Sequence, residues 1–368
     1  MARRKEADQL TLFQMEEPSE GGRRGVEPAP FPEDLQALGR ELPEEIRLGG
    51  STWSFPGWAG LVYDREHSPS RLAREGLAAY ARHPLFRAVG LDRTHYMPVP
   101  AEDLAAYRAQ VPEGFQFLVK AHEVCTLARF PDHARYGAQR GHDNPLFLDP
   151  AYTAEQVVAP FVEGMGTGSG ALLFQFAPQS LGTPVQFAAR LEAFLSALPR
   201  GPVYAVELRN RELVTAEYGD ALAAVGACHC HNVHPRMPDV RAQARLAGTH
   251  RGPRTVLRWL LGAGMTYEEA GRRYAPFNRM AAPDPATRRA VADLAREALA
   301  AGRPFLCTIN NNAEGCAPLS AVELARQIVG VEVGPSYGRR RSAVQTRLRT
   351  RSSSRWGGSS PAAERSDP

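Results

Sequence analysis

Phe115-Gln-Phe-Leu-Val-Lys120 reads as a β-strand with two unlike faces and a charged end. Side chains alternate across a strand, so Phe115, Phe117 and Val119 share one face, suited to packing beneath helices, while Gln116, Leu118 and Lys120 share the other. Comparable short runs lie on both sides of this one, at Ile46–Gly49, Ala88–Leu91, Ala171–Phe176, Val203–Leu208, Gly226–His231, Thr255–Leu260 and Phe305–Ile309. With Phe115–Val119 they make eight.

Stretches of helical periodicity separate the runs: Ser70–Arg82, Ala101–Gln110, Thr153–Met165, Pro184–Leu198, Arg211–Ala224, Tyr267–Tyr274 and Pro285–Ala301, with Ser320–Val329 closing the series. Thr153-Ala-Glu-Gln156 has the pattern of a capping box for the third helix. Strand followed by helix, repeated eight times, predicts an α/β fold with a single closed (β/α)8 barrel of the TIM type. An open dinucleotide-binding sheet is disfavoured, because neither GxGxxG nor a P-loop follows the first strand. No cofactor motif is present, and none is expected.

Three regions follow from composition. Residues 1–45 carry six basic and eleven acidic side chains among Gly and Pro breakers, which predicts a mostly disordered lead, with Leu35 to Leu42 able to form a turn or two of helix. Residues 46–330 form the barrel. Residues 331–368 read as a disordered Arg/Ser-rich tail, with eight arginines against Glu364 and Asp367 from residue 338 onward. The tail therefore supplies weak, non-specific attraction to nucleic acid, while the barrel, nearly balanced in charge, supplies little. No apolar run is long enough to cross a bilayer, and neither a secretory signal nor an anchor is read at the start. Five cysteines, Cys125, Cys228, Cys230, Cys307 and Cys316, form no CxxC pair, which fits a reduced cytoplasm.

In a barrel of this kind, chemistry sits where apolar strands end in polar residues. The first run leads into Ser51-Thr-Trp53, the second into Asp92-Arg-Thr94 and Tyr96, the third to Lys120 and His122, and the fourth carries Gln175. The fifth carries Glu207 and Arg209, the seventh Arg258, and the eighth leads into Asn310-Asn-Asn312. Glu207 and Arg209 share a strand face, about 6.5 Å apart along the chain, close enough for their charges to couple. They form either a structural ion pair or, with Lys120, a catalytic group in which a carboxylate base works beside cations that stabilise a developing anion. Lys120 stands out because the chain has only one other lysine, Lys5, against 42 arginines. Trp53 and Tyr96 are either core aromatics or a platform for a ring, with one of the two expected in the core. The asparagines either shape a turn or, as Asn310 and Asn311, contact a ligand.

Cys228-His-Cys-His231 is a separate case. His229 and His231 share a face at H-x-H spacing, from which two imidazoles can reach one metal ion. No further ligand cluster completes the set, so no metal is expected, and buried cysteines with solvent-facing histidines are the simpler reading.

Gly49-Gly-Ser-Thr-Trp-Ser-Phe-Pro-Gly-Trp58 resembles the opening motif of the YecE-like family, domain of unknown function 72, which has a TIM-barrel fold. Later blocks agree in order. Phe115–Lys120 is similar to the family's third-strand lysine motif, Leu173-Phe-Gln175 with Pro178 to its Gln-x-Pro-Pro block, and Val206-Glu-Leu-Arg209 to its Val-Glu-x-Arg motif. Arg258 matches its seventh-strand arginine and Asn310-Asn311 its Asn-Asn block. The resemblance covers about residues 46–330 and implies the same barrel, with Lys120, Gln175, Glu207, Arg209, Arg258 and Asn310 as retained site residues. It also implies departures: Gly90 stands in place of Glu, Asp92 of Asn, Asn210 and Leu213 of His and Trp, and Leu260 of His. Three functions stay open at this point. The first is an enzyme or former enzyme for a small anionic or polar ligand such as a sugar phosphate or nucleotide fragment. The others are a nucleic-acid-associated protein or phosphodiester hydrolase, and a non-catalytic binding protein.

Overall fold

The computed structural model describes residues 25–246, 251–262 and 264–330. Eight strands pair in parallel and in sequence order into a closed barrel: β1 (Ile46–Gly50), β2 (Phe86–Leu91), β3 (Gln116–Lys120), β4 (Gly170–Phe176), β5 (Val203–Leu208), β6 (Cys228–Val233), β7 (Thr255–Trp259) and β8 (Phe305–Ile309). Ten helices are used below as its outer wall. They are α1 (Glu33–Glu41), α2 (Pro69–Tyr80), α3 (Ala101–Arg108), α4 (Pro150–Thr153 continuing to Ala159–Met165), α5 (Pro184–Ser196), α6 (Ala216–Val225), α7 (Val240–Leu246), α8 (Tyr267–Tyr274), α9 (Pro285–Ala300) and α10 (Ala317–Val329). None of the described helices is long and apolar enough to cross a membrane.

Local chemistry sets the helix ends. Thr183 caps α5, accepting from Gln186 N while the Gln186 side chain accepts from Thr183 N, and Thr266 with Glu269 does the same for α8. The capping box expected at Thr153 is not formed. Pro150 starts α4 three residues earlier, Asp149 accepts from Tyr152 N at 2.8 Å, and the Thr153 hydroxyl donates back to Asp149 O at 2.7 Å. Midway, α4 widens into a π-helical turn over Ala154–Val158, just before Pro160, whose missing N–H and bulky ring disturb the regular ladder.

Two other expectations change. The described part of the lead, residues 25–45, is built into the fold: Leu35, Leu38 and Leu42 are buried, and Arg87 ties the segment down by donating to the carbonyls of Gly39, Leu42, Pro43 and Ile46. Residues 1–24 and the 331–368 tail lie outside the described residues. The sixth strand is shifted two residues onward, because Gly226 is the left-handed cap of α6, and α6 itself starts only at Ala216. The helix α7 has no full apolar stripe in the sequence, because its buried face carries a fully buried amide, Gln243, where an apolar residue would complete the helical period.

Strand registers sort the lumen side chains into layers of four, drawn alternately from odd and even strands. From the N-terminal end they are Arg47/Gln116/Val203/Arg254, then Ala88/Ala171/Cys228/Leu306, Gly49/Leu118/Ala205/Val256 and Gly90/Leu173/Cys230/Thr308. The last two are Ser51/Lys120/Glu207/Arg258 and Asp92/Gln175/Asn232/Asn310. Apolar side chains fill the middle as a buried cluster. Charge is confined to the two ends.

Candidate functional site

At the C-terminal end, Lys120 and Arg258 stand in one layer with Glu207 and Ser51, and the layer above brings Asp92 and Gln175 over them. Arg258 Nη1 donates to Glu207 Oε2 at 2.6 Å and to Gln175 Oε1 at 2.7 Å, spanning the lumen from β7 to β5 and β4. Arg209 Nε donates to Glu207 Oε1 at 2.6 Å, so both carboxylate oxygens are held. Lys120 Nζ donates to Asp92 Oδ2 at 3.0 Å. Glu207 is fully buried, while the Asp92 side chain keeps 24% of its surface and marks where solvent reaches the cluster.

The electrostatics follow from this packing. Burial alone would raise the Glu207 pKa, but Arg209, Arg258 and Lys120 hold it at about 2. Burial is likewise outweighed at Asp92, where Lys120 and Arg258 keep the carboxyl ionised. Burial lowers the Lys120 pKa, with Arg258 adding to the effect and Asp92 opposing it. For Arg258 burial is more than offset by Glu207 and Asp92, which raise its pKa. Three cations thus face two carboxylates.

Several expected residues lie elsewhere. Trp53 belongs to the core: its indole N–H donates to Leu72 O at 3.0 Å and its ring packs edge-on against Tyr107. Asn311 is a structural pin whose Oδ1 accepts from Trp58 Nε1 at 3.1 Å and from Ala317 N at 2.9 Å. Asn310 reaches the top layer, but its Oδ1 accepts from Asn312 N at 2.9 Å and shapes the turn. Tyr96 sits at the rim beside His95, with the Arg135 guanidinium 5.7 Å from its ring centre. His122 turns away to share a 2.7 Å hydrogen bond with the Tyr152 hydroxyl. The two β6 histidines are buried rather than solvent-facing, on the helix side of the strand. His229 Nδ1 meets the Tyr218 hydroxyl at 3.0 Å and its Nε2 meets Gln243 Oε1 at 3.3 Å, while His231 Nδ1 lies 3.2 Å from Val256 O. No group of three or more His, Cys, Asp or Glu suited to a metal occurs among the described residues.

Other residues complete the mouth. Ser51, at the end of the first run, and Asn232 occupy the two upper layers; Asn232 was not among the expected residues, although continuing the alternation two residues past Cys230 reaches it. Ser51 Oγ, Asn232 Oδ1 and, one layer below the ion cluster, Thr308 Oγ1 are buried with no hydrogen-bond partner among the described residues. Outside the lumen, Glu123 takes Arg135 at 2.5 Å and the Tyr136 hydroxyl at 3.2 Å and lies 3.8 Å from His95 Nε2. Burial, helped by Lys120, lowers the His95 pKa to about 3 and keeps it neutral. That contact network depends on a long β3–α4 connection, which no periodicity describes.

A groove of about 660 Å³ runs beside the mouth between the segments that follow β3 and β4, lined in part by Leu127, Phe130, Arg140, Pro178 and Gln179. Thr126 joins the two: its hydroxyl donates to Gln175 O at 2.9 Å and its carbonyl accepts from Gln179 Nε2 at 2.7 Å. The ion cluster itself is closed by its own salt bridges and is not part of the groove wall. Gly90, where the resemblance implied Glu, has no room for a side chain, since a Cβ there would lie 2.9 Å from Ser51 O.

Among solved structures, a DUF72 family protein of Thermotoga maritima is similar at 19% identity, covering 77% of this chain and 98% of its own, with a TM-score of 0.55. A DUF72 family protein of Enterococcus faecalis is similar at 19% identity, covering 78% of this chain and 97% of its own, with a TM-score of 0.51. At this identity they show the shared fold. No curated protein matches the sequence. The family described as "Protein of unknown function DUF72" matches residues 47–339, so the chain belongs to the DUF72 family.

Proposed function

We propose that the C-terminal mouth of the barrel binds a small anionic ligand, with Lys120 and Arg258 as its cationic contacts and Asp92, Gln175 and Ser51 arranged around them. The observation that carries this reading is the charge imbalance in a largely buried cluster, Lys120, Arg209 and Arg258 against Asp92 and Glu207. A residual positive charge of this kind gains more from an incoming anion than it would in water. The unpartnered Ser51 hydroxyl adds a donor in the same layer.

Binding is better supported than acid–base catalysis at Glu207. A carboxylate with both oxygens engaged by arginines and a pKa near 2 is a poor proton acceptor at neutral pH. Its role is to position Arg209 and Arg258. Asp92 is the carboxylate with solvent access, so any proton transfer at this mouth falls to Asp92 and Lys120.

The test is calorimetric titration of the full chain with inorganic phosphate, sugar phosphates, nucleoside monophosphates and the uncharged parent compounds. At least one anion binds, its parent does not, and Lys120→Met weakens the anion by about tenfold or more. Equal binding of every anion and its parent, or no anion in the panel that Lys120→Met weakens, overturns the reading.

A further inference from the structure

Among the described residues, the opposite end of the lumen holds charge without an ion-pair partner. Arg254 Nη1 donates to Gln116 Oε1 at 2.8 Å, and Gln116 Nε2 donates to the carbonyls of Gly114 at 3.3 Å and Gly168 at 3.0 Å. Arg47 Nη2 lies 3.9 Å from the place a Cβ would take on Gly114. Two guanidiniums, from β1 and from the residue before β7, therefore converge over the start of β3. A third, Arg303 before β8, has its Nη1 buried with no hydrogen-bond partner among the described residues, and with Arg254 it acts on Cys228 in the layer above.

Among the described residues no carboxylate lies within 4.0 Å of the Arg47, Arg254 or Arg303 guanidinium, whereas every cation of the upper cluster has one. Burial lowers the Arg254 pKa, and Arg47 lowers it further, as expected for neighbouring like charges. Arg47 and Arg254 each keep part of their surface in solvent, so this end is open to a small solute. Gln116 is already committed through three hydrogen bonds and cannot neutralise either arginine.

We propose that the Arg47/Gln116/Arg254 layer, with Arg303 beside it, is a second binding site, for a tetrahedral oxyanion of the phosphate type. Planar guanidinium forks fit such an anion through paired N–H donors, and two of them at a half-buried site supply both charge and geometry. The site lies at the other end of the lumen from the mouth. Three apolar or small-residue layers, from Ala88/Ala171/Cys228/Leu306 to Gly90/Leu173/Cys230/Thr308, separate the two, so occupancy here does not depend on the reading of the mouth.

The full chain is titrated with inorganic phosphate at ionic strength held constant with sodium chloride, followed by ³¹P line width and by thermal unfolding. Phosphate broadens and raises the melting temperature in the wild type, and both responses persist in Lys120→Met. Arg254→Gln and Arg47→Gln each weaken the affinity by about tenfold. If Arg254→Gln does not fold, Arg47→Gln, at a partly exposed position, carries the test alone. Repeating the titration with glycerol phosphate separates the sources: binding as tight as inorganic phosphate assigns the site to monoesters, and weaker binding assigns it to the free anion. A response lost in Lys120→Met and kept in both arginine variants would move the anion to the mouth and overturn the proposal. So would no response beyond that of chloride.

Discussion

Arg258 reaches across the lumen to Glu207, 2.6 Å between Nη1 and Oε2, with both side chains almost wholly removed from solvent. A buried ion pair of this kind is held by geometry, because the cost of desolvating both ions is met only while every partner is in place. Removing Glu207 alone strands Arg258 and Arg209. Glu207→Leu is expected to lower the unfolding free energy by roughly 3–5 kcal/mol, and the double variant with Arg258→Met by less than the sum of the two single changes. Urea unfolding of the three proteins measures this, and a Glu207→Leu loss below about 1 kcal/mol would contradict it.

Acid should find the same carboxylate. The Glu207 pKa is depressed from 4.5 to about 2, so its contribution is fully present above the unfolded value and fades as pH falls from about 4.5 towards 2. A shift of that size corresponds to on the order of 3 kcal/mol. Stability measured between pH 6 and pH 2.5, values chosen to bracket about 4.5, should fall less steeply in Glu207→Gln than in the wild type. Parallel curves would show that Glu207 does not titrate differently on folding.

Gln243 is expected to be as critical as any core residue. It is fully buried on α7, its Oε1 accepts from Asn232 N at 3.0 Å, and its Nε2 donates to Asn232 O at 2.7 Å. The amide thus completes the backbone pairing of β6 near its end, past the Ala205–Cys228 and Val206–His229 pairs where β5 and β6 are in register. Gln243→Leu leaves two backbone groups unpaired and should cost roughly 2–4 kcal/mol. Faster amide exchange at Asn232 would localise the loss, and unchanged exchange there would rule it out.

Much of the fold was legible because a barrel repeats one simple signal. All eight strands end in recognisable residues, and alternation along β3 and β5 correctly groups Lys120 with Gln116 and Leu118 and Glu207 with Arg209. What escaped the sequence had physical reasons. The helix α7 buries an amide, β6 begins after a glycine that belongs to the preceding helix cap, and the lead looks polar although Leu35, Leu38 and Leu42 are buried. Trp53 was ambiguous because an aromatic at a strand end is equally suited to a ligand or to the hole beside Tyr107, and only its hydrogen bond to Leu72 O decides. The histidines of β6 fall on the outward face by the same parity that sends Cys228 and Cys230 into the lumen.

Attraction to nucleic acid is expected from the arginines beyond residue 338 and not from the mouth. Binding of double-stranded DNA should then fall with log salt at roughly 0.9 per phosphate contact, disappear on truncation after residue 337, and survive Lys120→Ala. Filter binding across a salt series distinguishes this from a site in the barrel, which would persist after truncation and be lost with Lys120.

Anion binding at the upper charged layers underlies the proposed function. Its most direct test is a crystal structure of the full chain grown or soaked with the tightest anion from the calorimetric panel, beside one of Lys120→Met treated identically. Density for the acid group is expected within hydrogen-bonding reach of Lys120 Nζ, Arg258 and Ser51 Oγ, with the Lys120–Asp92 contact rearranged to admit it, and no such density in the variant. An anion bound only in the neighbouring groove or at the N-terminal end, with Lys120 and Asp92 still paired at 3.0 Å, would contradict it.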